Sequence, residues 1–578
     1  MSAQRSPFYP RLAALATMLA TLVVVLGLRL TWLARASAEP SERDRRFEIP
    51  APRGTIWDRQ GMPLATDSYA YEIGLDLATA RQQDDLVALC EAIAIPLGQP
   101  AAEILERAQV AIDAYTQALT TTRWIRLAPL VDIPTSKALA AYEDQGVTQR
   151  RIPHRIYPLG ADSAHVTGFL YAGPEPGDRP VAALGVEASY DATLTGIDGQ
   201  LAGYSGSQPG DFRPARAGTD LRLTIDRDIQ VAAARALAET IEQQSATGGT
   251  VIVLEVASGA ILASTSLPSF DPNHFETADP ASFSDPAVSA SYEPGSVLKS
   301  VTLAAAIDAG AVTPDSHYQD EGTIEYEGLH IQNSDHLGHG WISMRDMMVN
   351  SLNVGAVWTA GQLGREPFYR ALSDFGFGVP TGVDLAAEAS GIVHWPAVEG
   401  EDWYAGNLAT NSFGQGLSAT PLQVAAAIAA IANDGRLMQP YVLAEALPAG
   451  RPGVPTQPRM VRQVIGAESA REVRQLMQAV VDDKATQAAL PGYAVAGKTG
   501  TSQIPVPGGY DDTGTIASFA GFLPVDQPQV LILTKVDRPH AVRGSDVAAP
   551  LFREVAKAVV AALDIPPDRA QALGGGER

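Results

Sequence analysis

At 578 residues, with 46% hydrophobic and 19% charged side chains, the chain is long enough for more than one globular core. Its formal net charge of −23 argues against a nucleic-acid partner, whose phosphates would be repelled. The single cysteine, Cys90, excludes an intrachain disulfide and any zinc site built on several thiolates, and reads as a small buried hydrophobe.

In chain order, Leu12–Leu28 is the first feature, an apolar run that Arg29 interrupts and Leu30–Ala34 continues. At about 1.5 Å rise per residue, Leu12–Ala34 spans roughly 35 Å as a helix, enough to cross a bilayer if Arg29 snorkels. Ala36-Ser37-Ala38 resembles a signal-peptide cut site, but the run exceeds a signal core of ~7–15 residues. Residues 1–36 therefore read as a cytoplasmic stub and a single N-terminal membrane anchor. Under either reading the body of the protein is exported, which predicts a single-pass protein with its catalytic part outside the cytoplasm.

Residues 37–216 read as a mixed α/β domain of elongated form. Ser37–Pro52 is a polar linker, and Arg53–Ala65 reads as strand, turn and strand with the turn at Asp58–Gly61. Asp84–Tyr115 is helix-rich, with Pro96 as an expected break and Ala101–Tyr115 resuming the helix. Residues 150–215 are rich in glycine and proline and read as loops and short strands. No tandem repeat of solenoid length is present.

A second domain, residues 217–565, starts with a short strand at Leu221–Ile225 and a helix at Gln230–Gln244. Thr250–Val256 and Ala260–Thr265 form a hairpin pattern. Helical and loop segments follow, then strand candidates at Tyr493–Ser502, Ile516–Leu523 and Val530–Val536, and an amphipathic helix at about Asp546–Leu563. Two strands, an all-helical insertion, three strands and a helix predict an α+β fold with one five-stranded antiparallel sheet flanked by helices. Residues 566–578 read as a flexible tail.

Only six lysines occur in the chain, and two of them sit where an amine could do chemistry that arginine cannot. Lys299 follows Ser296 by three residues, on the same face of an almost wholly apolar helix, Val297–Ala309. In such a setting the ammonium is disfavoured, and the amine is fitted to take the proton of a serine nucleophile at the helix start. Ser351 and Asn353, at the end of a helix capped by Ser343, form a second element that gains meaning only from its order. The third is Lys498-Thr499-Gly500-Thr501, a strand offering a cation and two hydroxyls along one edge, suited to a carboxylate.

Ser296-x-x-Lys299, Ser351-x-Asn353 and Lys498-Thr-Gly, in that order, resemble a class B penicillin-binding protein, a peptidoglycan D,D-transpeptidase. The resemblance extends to Arg53-Gly54…Asp58-Arg59-Gln-Gly61, to Arg155-Ile-Tyr157-Pro158, to Gly185-Val-Glu187 and to Thr420-Pro421-Leu422-Gln423. It implies that residues 37–216 are a non-catalytic pedestal. It implies that Ser296 attacks a stem peptide ending in D-Ala-D-Ala, that Lys299 is its base, and that Ser351 relays a proton to the leaving amine. Asn353 would orient Lys299 and the substrate. Lys498, Thr499 and Thr501 would hold the terminal carboxylate or polarise Ser351, with Gly500 among the substrate-binding residues, and the backbone N–H groups of Ser296 and Thr501 would bind the oxyanion. No metal and no cofactor are implied. The implied partners are stem peptides, β-lactams, the membrane and a polytopic glycosyltransferase of the shape, elongation, division and sporulation (SEDS) class. Glu293-Pro-Gly-Ser296 and Ser351-Leu-Asn353 resemble division-type more than elongation-type members.

Two alternatives use the same residues differently. A D,D-carboxypeptidase or β-lactam-hydrolysing enzyme would employ the same triplets with water as acceptor. A scaffold for wall-synthesis partners would not need Ser296, Lys299 and Lys498 together. His330, His336, His339 and Asp335 cluster in sequence, but Gly338 and Gly340 make that stretch a loop rather than a metal-binding helix.

Overall fold

The computed structural model describes residues 16–27, 29, 46–83, 85–173, 179–202, 212–396, 403–506 and 508–569. The chain splits into two compact units, Met1–Pro52 with Thr195–Gly218, and Arg53–Leu194 with Thr219–Arg578. This division differs from the sequence boundaries at 36 and 216. In the first unit, Gly199–Ala202 pairs antiparallel with Arg46–Ile49 on one side and with Phe212–Arg213 on the other. Of the expected span Leu12–Ala34, residues 12–15, 28 and 30–34 lie outside the described residues. Residues 16–27 are helical, and among the described residues no helix is long and apolar enough to cross a membrane.

In the second unit, β1 (Ile56–Trp57) and β2 (Pro63–Asp76) flank the expected turn. Asp58 Oδ1 builds that turn by accepting from Gln60 N (2.9 Å) and Met62 N (2.7 Å), with Gly61 at φ +87°. Helices α1 (Leu86–Leu97) and α2 (Ala101–Thr116) follow, then β3 (Trp124–Val131) and β4 (Val147–Ile156). The expected interruption and the resumption at Ala101 are present, but the stop falls just after Pro96 rather than before it. Pro96 sits in the last turn, where its fixed φ is helical, and left-handed Gly98 (φ 63°) ends the helix. A separate core of Ile73, Leu75, Leu89, Ile93, Ile104, Ala108 and Leu127 holds this part together.

Next come β5 (Asp220–Leu223) and α3 (Arg227–Gln244), capped by Asp226, whose carboxylate accepts from Asp228 N and Ile229 N. They are followed by β6 (Gly248–Glu255), β7 (Ile261–Leu267) and α4 (Lys299–Asp308). Further on are α5 (Met344–Asn350), α6 (Asn353–Leu363), α7 (Pro421–Ala432), β8 (Leu443–Leu447) and β9 (Val454–Pro455). The remaining elements are α8 (Ala467–Asp483), β10 (Ala496–Val506), β11 (Gly509–Leu523), β12 (Val530–Asp537) and α9 (Ala548–Ala562).

The predicted five-stranded antiparallel sheet is present in the order β7-β6-β12-β11-β10, with β10 at an edge. α9 buries Leu551, Phe552, Val555, Ala556 and Val559, a helical stripe, and Phe552 meets Phe519 of β11 edge-on at 4.8 Å. The segment between β7 and β10 is not all-helical. It contains the antiparallel pairs His317–Asp320 with Gly340–Ser343 and Thr323–Tyr326 with Leu329–Gln332. Gly322, Gly328 and Gly340, all at positive φ, supply the turns, and alternating burial along the strands replaces the helical period.

A seven-stranded sheet runs β9-β8-β5-β1-β2-β3, with β4 also on β2. It crosses the expected boundary at 216, because β1 pairs with β5 in parallel. The main core likewise gathers Ile56, Leu64, Tyr157 and Val166 with the residues of the five-stranded sheet. The start of the expected flexible tail is pinned. Asp568 N and Arg569 N donate to Gly492 O, and the Arg569 guanidinium pairs with Asp482 at 3.1 Å. Residues 570–578 lie outside the described residues.

Candidate active site

Ser296 sits in a 3-10 turn, Gly295–Leu298, that runs directly into α4. The segment before it is fastened at two points. Tyr292 N and O both bond to Ala419 at 2.9 Å, and Gly295 N donates to Gly414 O at 3.0 Å. Gly295 has φ +54°, and a methyl on Gly414 would lie 2.2 Å from Gly295 O, so glycine is required at both places. Ser296 itself is half-buried at the start of an otherwise buried helix.

Lys299 has no exposed surface. Its Nζ donates to Ser351 O at 2.6 Å and Asn353 Oδ1 at 2.8 Å, with Ser351 Oγ at 3.4 Å. The Asn353 amide is oriented by its own Nδ2, which donates to Gln332 O at 2.9 Å and leaves Oδ1 for the lysine. Ser351 caps α5 in the left-handed region, φ 57° and ψ 44°. That conformation is strained for a side chain other than glycine, asparagine or aspartate. It ends α5 abruptly and lets α6 begin at Asn353, so one corner delivers Ser351 O, Ser351 Oγ and Asn353 Oδ1 to one amine.

Lys498 is also fully buried, and its Nζ donates to Ser351 Oγ at 2.8 Å. Along β10, Lys498, Gly500 and Ser502 are buried, while Thr499 is half-buried and Thr501 exposed. The two threonines thus share the accessible side of an edge strand. A methyl on Gly500 would meet Ser518 Oγ at 2.3 Å and Pro294 O at 2.9 Å, so the strand packs directly on the nucleophile turn. Gly544 N donates to Thr501 Oγ1 at 3.2 Å.

The electrostatics follow from burial. Desolvation drives the Lys299 ammonium well below the usual lysine range, and the nearby Lys498 charge adds to the effect. Desolvation alone lowers Lys498 to about 7. A neutral Lys299 has two N–H bonds, matched by its two short contacts, and a lone pair left for a proton. Ser351 Oγ lies between two amines, placed to pass a proton. The arrangement can therefore activate a hydroxyl without metal, as a lysine-based acyl-transfer site requires.

The five predicted residues Ser296, Lys299, Ser351, Asn353 and Lys498 come from the 3-10 turn, α4, the end of α5, α6 and β10 and converge here, with Thr499, Gly500 and Thr501 on the adjoining edge. Ser296 Oγ makes no hydrogen bond to Lys299 Nζ among the described residues. The two are one helical turn apart in a 3-10 to α junction, and such contacts tighten when substrate is bound. Sequence reading missed Glu293. Its buried Oε1 accepts from Gly416 N at 2.9 Å and Tyr510 OH at 3.1 Å, tying the nucleophile turn to the 414–416 turn and to β11. Burial pushes its carboxyl up. Its position next to Pro294-Gly295 was visible, but its partners lie more than 100 residues away. His330 lies on a strand and pairs with Glu325, and His339 pairs with Asp335 at 2.9 Å.

Residues 249–557 match the family model described as the penicillin-binding protein transpeptidase domain, and residues 48–203 that of the penicillin-binding protein dimerisation domain. The chain is 31% identical to stage V sporulation protein D of Bacillus subtilis, over 95% of this chain and 83% of that one. It is 32% identical to penicillin-binding protein PbpB of Mycolicibacterium smegmatis, over 96% of this chain and 90% of that one. Among solved structures it resembles penicillin-binding protein 3 from Mycobacterium tuberculosis complexed with aztreonam. The TM-score is 0.68 at 27% identity, covering 91% of this chain and 99% of that chain.

Proposed function

Because this chain belongs to the penicillin-binding proteins with a dimerisation and a transpeptidase domain, we propose that it crosslinks peptidoglycan stem peptides through an acyl-enzyme on Ser296. It is a serine-type D,D-transpeptidase and a target of β-lactams. Ser296 Oγ attacks the penultimate D-alanine carbonyl, and Lys299 takes its proton. The negative oxygen is held by the backbone N–H groups of Ser296 and Thr501, an arrangement typically worth several kcal/mol of barrier. The C–N bond breaks, Ser351 hands a proton to the departing D-alanine amine, and Lys498 restores the Ser351 proton. An amine from a second stem peptide then attacks the ester carbonyl and loses a proton through Ser351 to Lys498, while the C–O bond breaks and Lys299 returns its proton to Ser296 Oγ. Lys498, Thr499 and Thr501 hold the terminal carboxylate beside Gly500, and Asn353 keeps Lys299 on station.

The observation that carries this reading is the burial of Lys299 with its two short acceptors, Ser351 O and Asn353 Oδ1. Labelling with a fluorescent penicillin tests it. The native chain is expected to label and Ser296→Ala is not; equal labelling of both would end the assignment. A penicilloyl adduct that persists for minutes fits a transpeptidase, whereas turnover in seconds fits the hydrolase alternative.

We place the protein in septal wall synthesis, on the pattern Glu293-Pro-Gly-Ser296 with Ser351-Leu-Asn353. Residues 1–36 anchor it in the cytoplasmic membrane with the catalytic domain outside. The apolar yet exposed side chains of Met18, Leu19, Leu22 and Val23 support this, since lipid is the solvent that suits them. The pedestal and anchor are the surfaces offered to a SEDS-class glycosyltransferase. Fractionation of cells expressing the chain with and without residues 1–36 tests the anchor; equal release into the soluble fraction refutes it.

A further inference from the structure

Three of the six lysines are buried: Lys299, Lys498 and Lys535. The first two belong to the acyl-transfer site. Lys535 has no part in the steps above, and it lies in an unusual place. One cross-strand row of the five-stranded sheet is polar from edge to edge. Gly500 of β10 faces Ser518 of β11, Ser518 faces Lys535 of β12, Lys535 faces Thr250 of β6, and Thr250 faces Ser266 of β7. Ser518, Lys535, Thr250 and Ser266 are all buried. The row two residues along carries Ala520, Leu533 and Ile252 at its centre. A buried ammonium in such a sheet is costly unless it is paired.

Its partners explain the cost and point to a use. Lys535 Nζ pairs with the Asp537 carboxylate. It also lies 5.2 Å from the centroid of the Tyr292 ring, within cation–π range. Tyr292 is four residues before Ser296 and bonded through its backbone to Ala419. Burial pushes its phenol up, its hydroxyl makes no hydrogen bond among the described residues, and Lys535 has Ser518 as its cross-strand partner. Ser518 Oγ in turn abuts Gly500, which packs on Pro294 of the nucleophile turn. A closed circuit results: Lys535, Tyr292, the turn carrying Ser296, the strand carrying Thr499 and Thr501, Ser518, and back to Lys535.

We propose that Lys535 is a positioning residue for acyl transfer, holding the Tyr292 ring to the β11–β12 strand pair and so setting the gap between the nucleophile turn and the Thr499–Thr501 edge. This deepens the reading of Ser296 as the nucleophile and rests on it. Lys535 touches neither substrate nor Ser296. Its effect is geometric, on the separation of the attacked carbonyl's two anchors, and falls on the acylation step rather than on the first encounter.

The test uses the full chain and a fluorescent penicillin, with the non-covalent dissociation constant and the acylation rate constant measured separately, and Tm recorded. Lys535→Met is expected to slow acylation about tenfold or more, the scale of a sub-ångström to 1 Å misplacement, with the dissociation constant within about twofold. Lys535→Arg keeps the cation on the ring and is expected to restore most of the rate. A folded Lys535→Met that acylates at the native rate overturns the proposal. So does an Arg variant as slow as Met, which would indicate a merely structural demand for that side chain's shape. If Lys535→Met does not fold, Tyr292→Leu breaks the same contact from the other side and must give the same selective slowing. A native chain that is not acylated at all defeats the proposed function. A native chain that is acylated no faster than Lys535→Met defeats only this inference.

Discussion

Gly500→Ala puts a number on how closely the edge strand and the nucleophile turn must meet. A methyl there would lie 2.3 Å from Ser518 Oγ, 2.9 Å from Pro294 O and 3.0 Å from Val297 Cγ2. Comfortable contacts are about 3.5–4.0 Å, so β10 must retreat by about 1 Å from the turn that carries Ser296. Overpacking of this kind costs about 1–3 kcal/mol of stability, which a protein with cores this extensive survives. The catalytic cost is larger, because a misplacement of about 1 Å between reacting groups can cost about 100-fold in rate. The assay is the second-order rate of acylation by a fluorescent penicillin, with Tm measured in parallel. Gly500→Ala is expected to lose about 100-fold with a Tm drop of only a few degrees. Adding Ser518→Ala removes the shortest of the three contacts and is expected to recover part of the rate. A Gly500→Ala variant that acylates as fast as the native chain would refute the packing argument.

Three further outcomes are expected. Lys299→Arg keeps a charge but removes the titratable amine, so acylation should fall by about 10²–10⁴-fold, the usual worth of a general base, as read by adduct mass spectrometry; full activity would contradict lysine as base. Acylation needs Lys299 neutral and Lys498 charged, so its rate should rise with pH through the depressed Lys299 value and fall as pH passes about 7, where burial sets Lys498; Lys498→Arg stays charged but cannot pass its proton to Ser351, so it should acylate slowly and without the falling limb, and a limb unchanged in that variant counts against Lys498 as its source. The fold binds fewer protons at Lys498 than the unfolded chain does, so this residue's contribution to stability rises with pH from about 7 to about 10.5, by roughly 5 kcal/mol; the difference in urea midpoint between the native chain and Lys498→Met should narrow or reverse in favour of the native chain over that window, and no change with pH would show that Lys498 is charged in the fold throughout.

Local chemistry made much of this protein readable without coordinates. The strand, hairpin and helix patterns around the five-stranded sheet lie close to the observed β6, β7, β10, β11, β12, α3 and α9, because period-2 and period-3.6 apolarity is a property of neighbouring residues. The Ser296–Lys299 pair was legible because one apolar helix carries both. The insertion after β7 was misread as all-helical, since its short hairpins turn on isolated glycines rather than on a sustained period. The interruption near Pro96 was legible, but its exact stop is set by left-handed Gly98 rather than by the proline.

What the sequence alone determined is the chemistry: scarce lysines kept at Lys299 and Lys498, a serine beside each expected role, and an order of triplets that a family resemblance could be hung on. Tertiary structure decided everything that depends on distance between remote segments. It made Ser351 a bridge between two buried amines through a left-handed corner, and Glu293 a clamp between turns more than 100 residues apart. It aligned Lys535 with Ser518 and Gly500 and drew Ile56, Leu64, Tyr157 and Val166 into the same core as the catalytic sheet, while residues 73–147 kept a core of their own. The physical reason is that charge state and contact are set by what surrounds a side chain after burial, and a linear sequence specifies those surroundings only through the fold.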